Sequence, residues 1–267
     1  MKKTLIASTA FLAIMICSIS CDKEQVDRRV SDNKGGRTER IMDNNGDNFI
    51  SENYYADAKQ LYFDEIIKNN NHPNYNNPEL DKKEIEKILE IIQAVYNSHS
   101  LERDTVFNIY KIHGYYCYSF NSVSLKVNTG LPSIQNLSQG IIPTGDKELD
   151  RVLAAYAFDS VRTFYSYPSF PWLTVFTKKE YNMIPVEEEF SKLESVQIAE
   201  FNKGCVGDGN SIQLIREKDS ATIIFSIGSG DCPSGCIYRR YWEFNVSSGV
   251  AKFIKAYGHI DENDFFW

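Results

Sequence analysis

Ala221-Thr222-Ile223-Ile224-Phe225-Ser226-Ile227 and, after a turn rich in glycine and cysteine, Ile237-Tyr238-Arg239-Arg240-Tyr241-Trp242-Glu243-Phe244-Asn245-Val246 are the stretches on which the fold assignment rests. Both are dense in β-branched and aromatic residues, which suit a pleated, half-buried surface. Residues 196–201 and 212–216 before them, and 250–257 after, read the same way. Five strand-like runs separated by turn residues predict an antiparallel meander at the C-terminal end of the chain.

Helices precede it. In residues 51–69 the apolar positions Tyr54, Tyr55, Ala58, Leu61, Tyr62, Ile66 and Ile67 recur every three to four residues, the period of an amphipathic helix. Asn69-Asn70-Asn71-His72-Pro73 ends it. Asp81 then caps a second helix striped by Ile85, Ile88, Leu89, Ile92, Val95 and Tyr96, with Glu84 placed as capping-box partner. Val106, Phe107, Ile109, Tyr110 and Ile112 form a β-rich run, and Val123, Leu125 and Val127 alternate with polar neighbours. Residues 149–158 predict a short helix, and 178–193 a further one interrupted by Pro185. The whole reads as α+β: a helix pair, a mixed segment and the terminal sheet, in a single domain over residues 41–267. There is no internal repeat.

The 267 residues are 42% hydrophobic, enough for an ordinary core. A formal charge of −7 argues against nucleic acid, because phosphate binding needs a basic surface. At the start, Lys2 and Lys3 precede an uncharged, mostly apolar run, residues 5–17, too short to span a bilayer as a helix. Residues 1–20 therefore read as a secretory signal peptide. Ser18-Ile19-Ser20-Cys21 resembles the lipobox of bacterial lipoproteins, which makes Cys21 the acylated N-terminus of the mature chain. Ordinary signal-peptide cleavage, leaving a soluble protein, is the alternative, since Leu is usual where Ser18 stands. Residues 21–40 are polar and without hydrophobic period, a flexible tether. Asp22-Lys23-Glu24 resembles the surface-export signal of Bacteroidota lipoproteins. The expected location is the cell envelope, anchored by lipid in the outer membrane on its surface or periplasmic face.

Export puts Cys117, Cys205, Cys232 and Cys236 where disulfides persist. Four cysteines allow three pairings. Cys232 with Cys236 is preferred because Pro233-Ser234-Gly235 can turn tightly between them, which leaves Cys117 with Cys205. A four-thiolate zinc site is the alternative, but the only close pair has three residues between its thiols rather than two. A nucleophilic Cys232 with His113 or His259 as base would require an unpaired thiol.

Asp43, Asn45 and Asp47 occupy positions one, three and five of a loop that resembles EF-hand and dockerin calcium loops. Asn48 stands in place of the turn glycine and Tyr54 in place of the bidentate carboxylate. An Asn/Asp/Gly-rich turn and helix cap is the preferred reading, so no cofactor is expected, with calcium kept as an alternative. Asp104-Thr105-Val106, Asp159-Ser160-Val161 and Asp219-Ser220-Ala221 each resemble the site at which Bacteroidota O-glycosylate exported proteins. Thr105 and Ser220, beside expected strand ends, are better placed than Ser160, next to an expected helix.

Gly207-Asp208-Gly209-Asn210, the core Gly228-Ser229-Gly230-Asp231-Cys232-Pro233-Ser234-Gly235-Cys236, Tyr75-Asn76-Asn77-Pro78 and Ala94-Val95-Tyr96-Asn97 together resemble a group of uncharacterised secreted or lipid-anchored proteins of Bacteroidota, over most of the chain from about Asn53. The resemblance implies location and domain limits and no reaction. The glycines permit tight turns that Asp231 can cap. Arg239 with Trp242, and Tyr238 with Arg240, could form cation-π pairs on a binding rim, against the plainer reading of a disulfide-locked hairpin with its aromatics in the core. Nucleophile-elbow, zinc-protease, P-loop and dinucleotide motifs are absent from the sequence. The expected function is binding of a glycan or protein at the envelope. The alternative is an envelope hydrolase built on Asp208, Asp231 and His259.

Overall fold

The computed structural model describes residues 46–115, 117–164 and 172–260, all within the unit Asp43–Trp267. The expected signal peptide and tether, with Cys21, Asp43 and Asn45, lie outside the described residues.

Helix α1 (Gly46–Ile67) starts five residues before the predicted start. It buries Tyr54, Ala58, Leu61, Tyr62 and Ile66 of the expected stripe, and Ile50 besides, while Tyr55 is exposed and Ile67 half-buried. Residues 47–54, the later part of the expected calcium loop, are therefore helical, and Tyr54 lies in the core. In α2 (Lys82–Tyr96), the Asp81 carboxylate accepts the Lys83 N–H at 2.9 Å, satisfying one orphan donor of the first turn. Glu84 does not complete a capping box. It accepts instead from Lys87 and, at 2.8 Å, from Arg216. The two helices pack against each other, as expected.

The β-rich run after Thr105 is helical, contrary to its propensity. Helix α3 (Leu101–Asp104), capped by Ser100, continues into one π-helical turn, Thr105–Ile109. Asp104 accepts from both Arg103 and Asn108, and the turn buries the consecutive residues Val106 and Phe107. A strand would have sent one of them to each face. Phe107 meets Tyr54, Tyr96 and Phe225 at 5.2–5.4 Å, so core packing overrides intrinsic preference. Lys111, at φ +47°, takes the chain out of the turn.

Strands β1 (Ser122–Val127), β2 (Phe158–Phe164), β3 (Trp172–Thr177) and β4 (Val196–Glu200) form one antiparallel sheet in the order β2-β3-β1-β4. Helices α4 (Pro132–Ser138), α5 (Lys147–Ala155) and α6 (Met183–Ser191) connect and pack on it. α5 stops before Phe158, which opens β2. α6 is the rear half of the predicted 178–193 helix, and Pro185 sits in its first turn, where a missing N–H costs nothing.

Strands β5 (Ser211–Arg216), β6 (Ser220–Ser229), β7 (Tyr238–Ser247) and β8 (Val250–His259) make the predicted meander, with α1 and α2 on its inner face. It has four strands rather than five, because β4 pairs with β1 in the other sheet. Ser248 and Gly249, both at positive φ, form the two-residue turn that a right-twisted hairpin prefers. One hydrophobic core runs through both sheets, with the ring of Phe63 between Tyr118, Phe120 and Phe201 at its crossing. Arg216 ties the layers together at the edge, donating from β5 to Glu65 of α1 and Glu84 of α2.

Candidate functional site

On α1, Asp57, Gln60, Leu61 and Asp64 succeed one another at helical spacing and so share one face, and Lys68 continues it past the helix end. That face captures residues 113–115 and 117–118. Asp57, 1% exposed, accepts the Gly114 N–H at 2.7 Å on one oxygen and lies 2.8 Å from His113 Nδ1 with the other. Asp64 accepts the Tyr118 hydroxyl at 2.8 Å and pairs with Lys68. Burial pushes the Tyr118 phenol up, and the Asp64 carboxylate adds to the shift, so Tyr118 remains a neutral donor.

The Cys117–Cys205 disulfide fastens residues 117–118 to the loop after β4. Tyr115 N donates to Asn210 O at 2.9 Å, and its hydroxyl to Val206 O at 3.0 Å. Between α1 and these two loops opens a cleft of about 380 Å3, whose walls include Gln60, Asp64, Tyr115, Asn210, Gln213 and the disulfide.

The glycine-rich motif locks the far wall. Cys232 is bonded to Cys236. Asp208 N donates to Cys232 O at 2.7 Å, and the Asp208 carboxylate accepts from Arg239 at 2.6 Å and from Gly209 N at 2.8 Å. The second Arg239 nitrogen reaches Ser226 at 2.7 Å, and Ser226 pairs with Ser211. A Cβ on Gly228 would overlap Cys236 Sγ, and one on Gly258, at φ +84°, would overlap Arg239 O, so glycine is required at both. Burial opposes ionisation of Asp208, but the hydrogen bonds from Arg239 and Gly209 outweigh it and hold the carboxyl below the usual carboxylate range. Its contribution to stability is therefore complete above the unfolded-state value of about 3.9 and is lost as pH falls through the lower folded value. In unfolding scans from neutral to strongly acidic pH, wild type is expected to exceed Asp208→Asn, and the gap to close only below about pH 4. A gap independent of pH would remove the ion pair from the account.

A second cleft, about 400 Å3, lies beside the start of β7 and the end of β8, between Glu102, Thr105, Tyr110, Arg240, Trp242 and His259. Here the expected rim is corrected. Neighbours along a strand face opposite sides, so Arg240, not Arg239, lies over Trp242, at 5.8 Å, while Arg239 turns to Asp208. Trp242 is 3% exposed, and Tyr238 stands against His259. Tyr238 and Arg240 are what remains of the rim.

The residues nominated for hydrolysis are not gathered. Asp208 lines the first cleft, His259 the second, and Asp231 neither. His113 belongs instead to Asp57, which holds Nδ1 and leaves Nε2 as the free ring nitrogen, an arrangement able to orient a base. With all four cysteines paired, neither a thiolate zinc site nor a Cys232 nucleophile is formed. Among the described residues no group of three His, Cys, Asp or Glu could hold a metal ion, and no helix is long and apolar enough to cross a membrane. Of the glycosylation candidates, Thr105 is in the π-helical turn and donates to Leu101 O, Ser160 is exposed in β2, and Ser220 opens β6.

Asp57, Gln60 and Tyr115 were not singled out from sequence. Asp57 carried a usable signal, a charge between Tyr54, Ala58 and Leu61 on an otherwise apolar stripe, the position of a paired buried acid. Comparison with protein-family models, curated proteins and solved structures finds no match to this chain.

Proposed function

We propose that the protein acts by non-covalent binding at the cell envelope, held to the outer membrane by acyl chains on Cys21 and presenting its α+β domain on the 21–40 tether. The observation that supports binding is the construction of the first cleft. Its walls come from three segments far apart in sequence, cross-tied by a disulfide, the hydrogen bonds of Asp57 and Asp64, and an aspartate–arginine pair. Rigid walls lower the ordering cost of association. Support for the anchor comes from the basic start, the apolar run and the Ser-Ile-Ser-Cys sequence.

Two measurements test this. Mass spectrometry of the mature N-terminus is expected to show a diacyl or triacyl Cys21, and an unmodified or internal N-terminus would remove the anchor. Pulldown of the intact lipoprotein from its own envelope is expected to retain a glycan or protein ligand that a variant filling the cleft, Gln213→Trp, no longer retains. A hydrolysed product whose formation stops in His113→Gln would favour the hydrolase reading through the Asp57–His113 pair.

A further inference from the structure

We propose that the first cleft takes a neutral saccharide, with the Tyr115 ring as stacking platform and the side-chain amides of Gln60, Asn210 and Gln213 as hydroxyl partners. The proposal rests on the binding reading above and names its ligand class.

Charge in the cleft argues for neutrality. Each charged group on its walls already has a partner: Asp57 has His113 and Gly114 N, Asp64 has Tyr118 and Lys68, Lys203 has Glu187, and Asp208 has Arg239. A charged ligand would have to compete with the partner each of these groups already holds, which reduces what it could gain. The amides are less committed. Gln60 Oε1 is buried with no hydrogen-bond partner. Asn210 uses its carbonyl oxygen for the Gly228 N–H at a long 3.3 Å and keeps its two amide donors. A side-chain amide offers a donor and an acceptor a short distance apart, the pattern that adjacent ring hydroxyls match. A turn of the Gln60 side chain toward such a ligand would satisfy an oxygen that the free protein leaves unpaired, at a cost.

Tyr115 supplies the apolar contact. It is 50% exposed yet held at three points: its main chain on Asn210, its hydroxyl on Val206, and the root of its ring against Gly209, where an added Cβ would come within 3.3 Å. A large exposed ring that is already immobile is suited to stack a ligand's carbon face without further ordering. Gly209 is thus explained by the close approach of the ring. The cleft volume falls in the usual range for small-ligand sites, about 300–1,000 Å3.

A peptide is the rival occupant and fits less well. The apolar residues of the cleft, Leu61 and Ile212, are buried and form no side-chain pocket. Strand addition needs an open edge, and Tyr115 N already occupies Asn210 O at the entrance to β5.

The test uses the full mature lipoprotein in a detergent without sugar headgroups. Isothermal titration is run with cellobiose, N,N′-diacetylchitobiose, digalacturonic acid and an alanine tripeptide. One of the neutral disaccharides is expected to bind. Tyr115→Ala should weaken it by at least about tenfold, Gln213→Ala by about threefold, and Tyr115→Phe, which keeps the ring, by less than about threefold. Arg240→Gln in the second cleft should leave it unchanged. No heat from either neutral disaccharide up to about 10 mM, or affinity indifferent to Tyr115→Ala, overturns the proposal. Tripeptide binding that Tyr115→Ala abolishes would replace the saccharide while keeping the binding reading, which falls only if the envelope pulldown retains nothing.

Discussion

Replacing Asn182 by leucine is expected to lower the unfolding midpoint by roughly 6–20 °C. Asn182 is 0% exposed and caps α6, its side-chain oxygen accepting the Ile184 N–H at 3.1 Å. Its amide nitrogen donates to three carbonyls of one segment, Asn74, Tyr75 and Asn77, at 2.9–3.0 Å, and its own N–H reaches Pro78 O. Two amide hydrogens serve three oxygens, so one bond is shared. Losing the cap costs about 1 kcal/mol. Leaving buried carbonyls unpaired costs about 1–3 kcal/mol more for each that water cannot reach. The sum, about 3–5 kcal/mol, gives the stated shift at about 2–4 °C per kcal/mol for a domain of this size. Asn182→Asp should be as damaging near neutrality, since a carboxylate then faces three carbonyl oxygens, and should recover partly in acid, where a protonated carboxyl returns one donor. Calorimetry across pH, with hydrogen exchange at residues 74–78, checks both. Unchanged exchange there would show that the segment is held by something other than Asn182.

Removing the two disulfides separately is expected to cost unequal amounts. Cys117 and Cys205 are 88 residues apart and Cys232 and Cys236 only 4. On the chain-entropy account the long loop contributes about 4–5 kcal/mol and the short one about 2 kcal/mol. The double variant Cys117→Ser with Cys205→Ser should therefore unfold at a midpoint at least about 5 °C below that of Cys232→Ser with Cys236→Ser. The long bridge also joins the two cleft loops, so its loss should abolish retention of envelope ligand in a domain that still folds. Thiol labelling of the folded, non-reduced wild type should modify none of the four. Equal midpoints for the two variants would mean that the short bridge acts mainly in the native state, by holding Gly228 and Arg239 in place.

The local patterns decided a good deal. The 3.6-residue stripe of α2, most of that of α1, the Asp81 cap, the alternation in β1 and the dense aromatic runs of β6 and β7 are each determined by neighbours a few residues away and stand in the structure close to where the sequence puts them. The pairing of Cys232 with Cys236 is legible for the same reason, since three turn-forming residues set the geometry. Cys117 with Cys205 then followed by elimination.

What failed to show in sequence depends on partners far along the chain. Residues 105–109 have the composition of a strand and are helical because the core of α1, α2 and β6 takes Val106 and Phe107 on one side. β4 has the pattern of its neighbours yet joins β1, for alternation says which face is buried and nothing about which strand lies alongside. Arg239 and Arg240 are adjacent and chemically alike. The pleat sends one to Asp208 and the other over Trp242, so the motif that reads as a binding rim is mostly a lock. The cleft itself joins α1, residues 113–118 and residues 203–213. By itself the sequence determined most of the helices and strands and the turn chemistry. The tertiary structure alone decided which polar groups meet, because a hydrogen bond between residues 57 and 114 or 74 and 182 is a property of the packed chain and leaves no periodic trace along it.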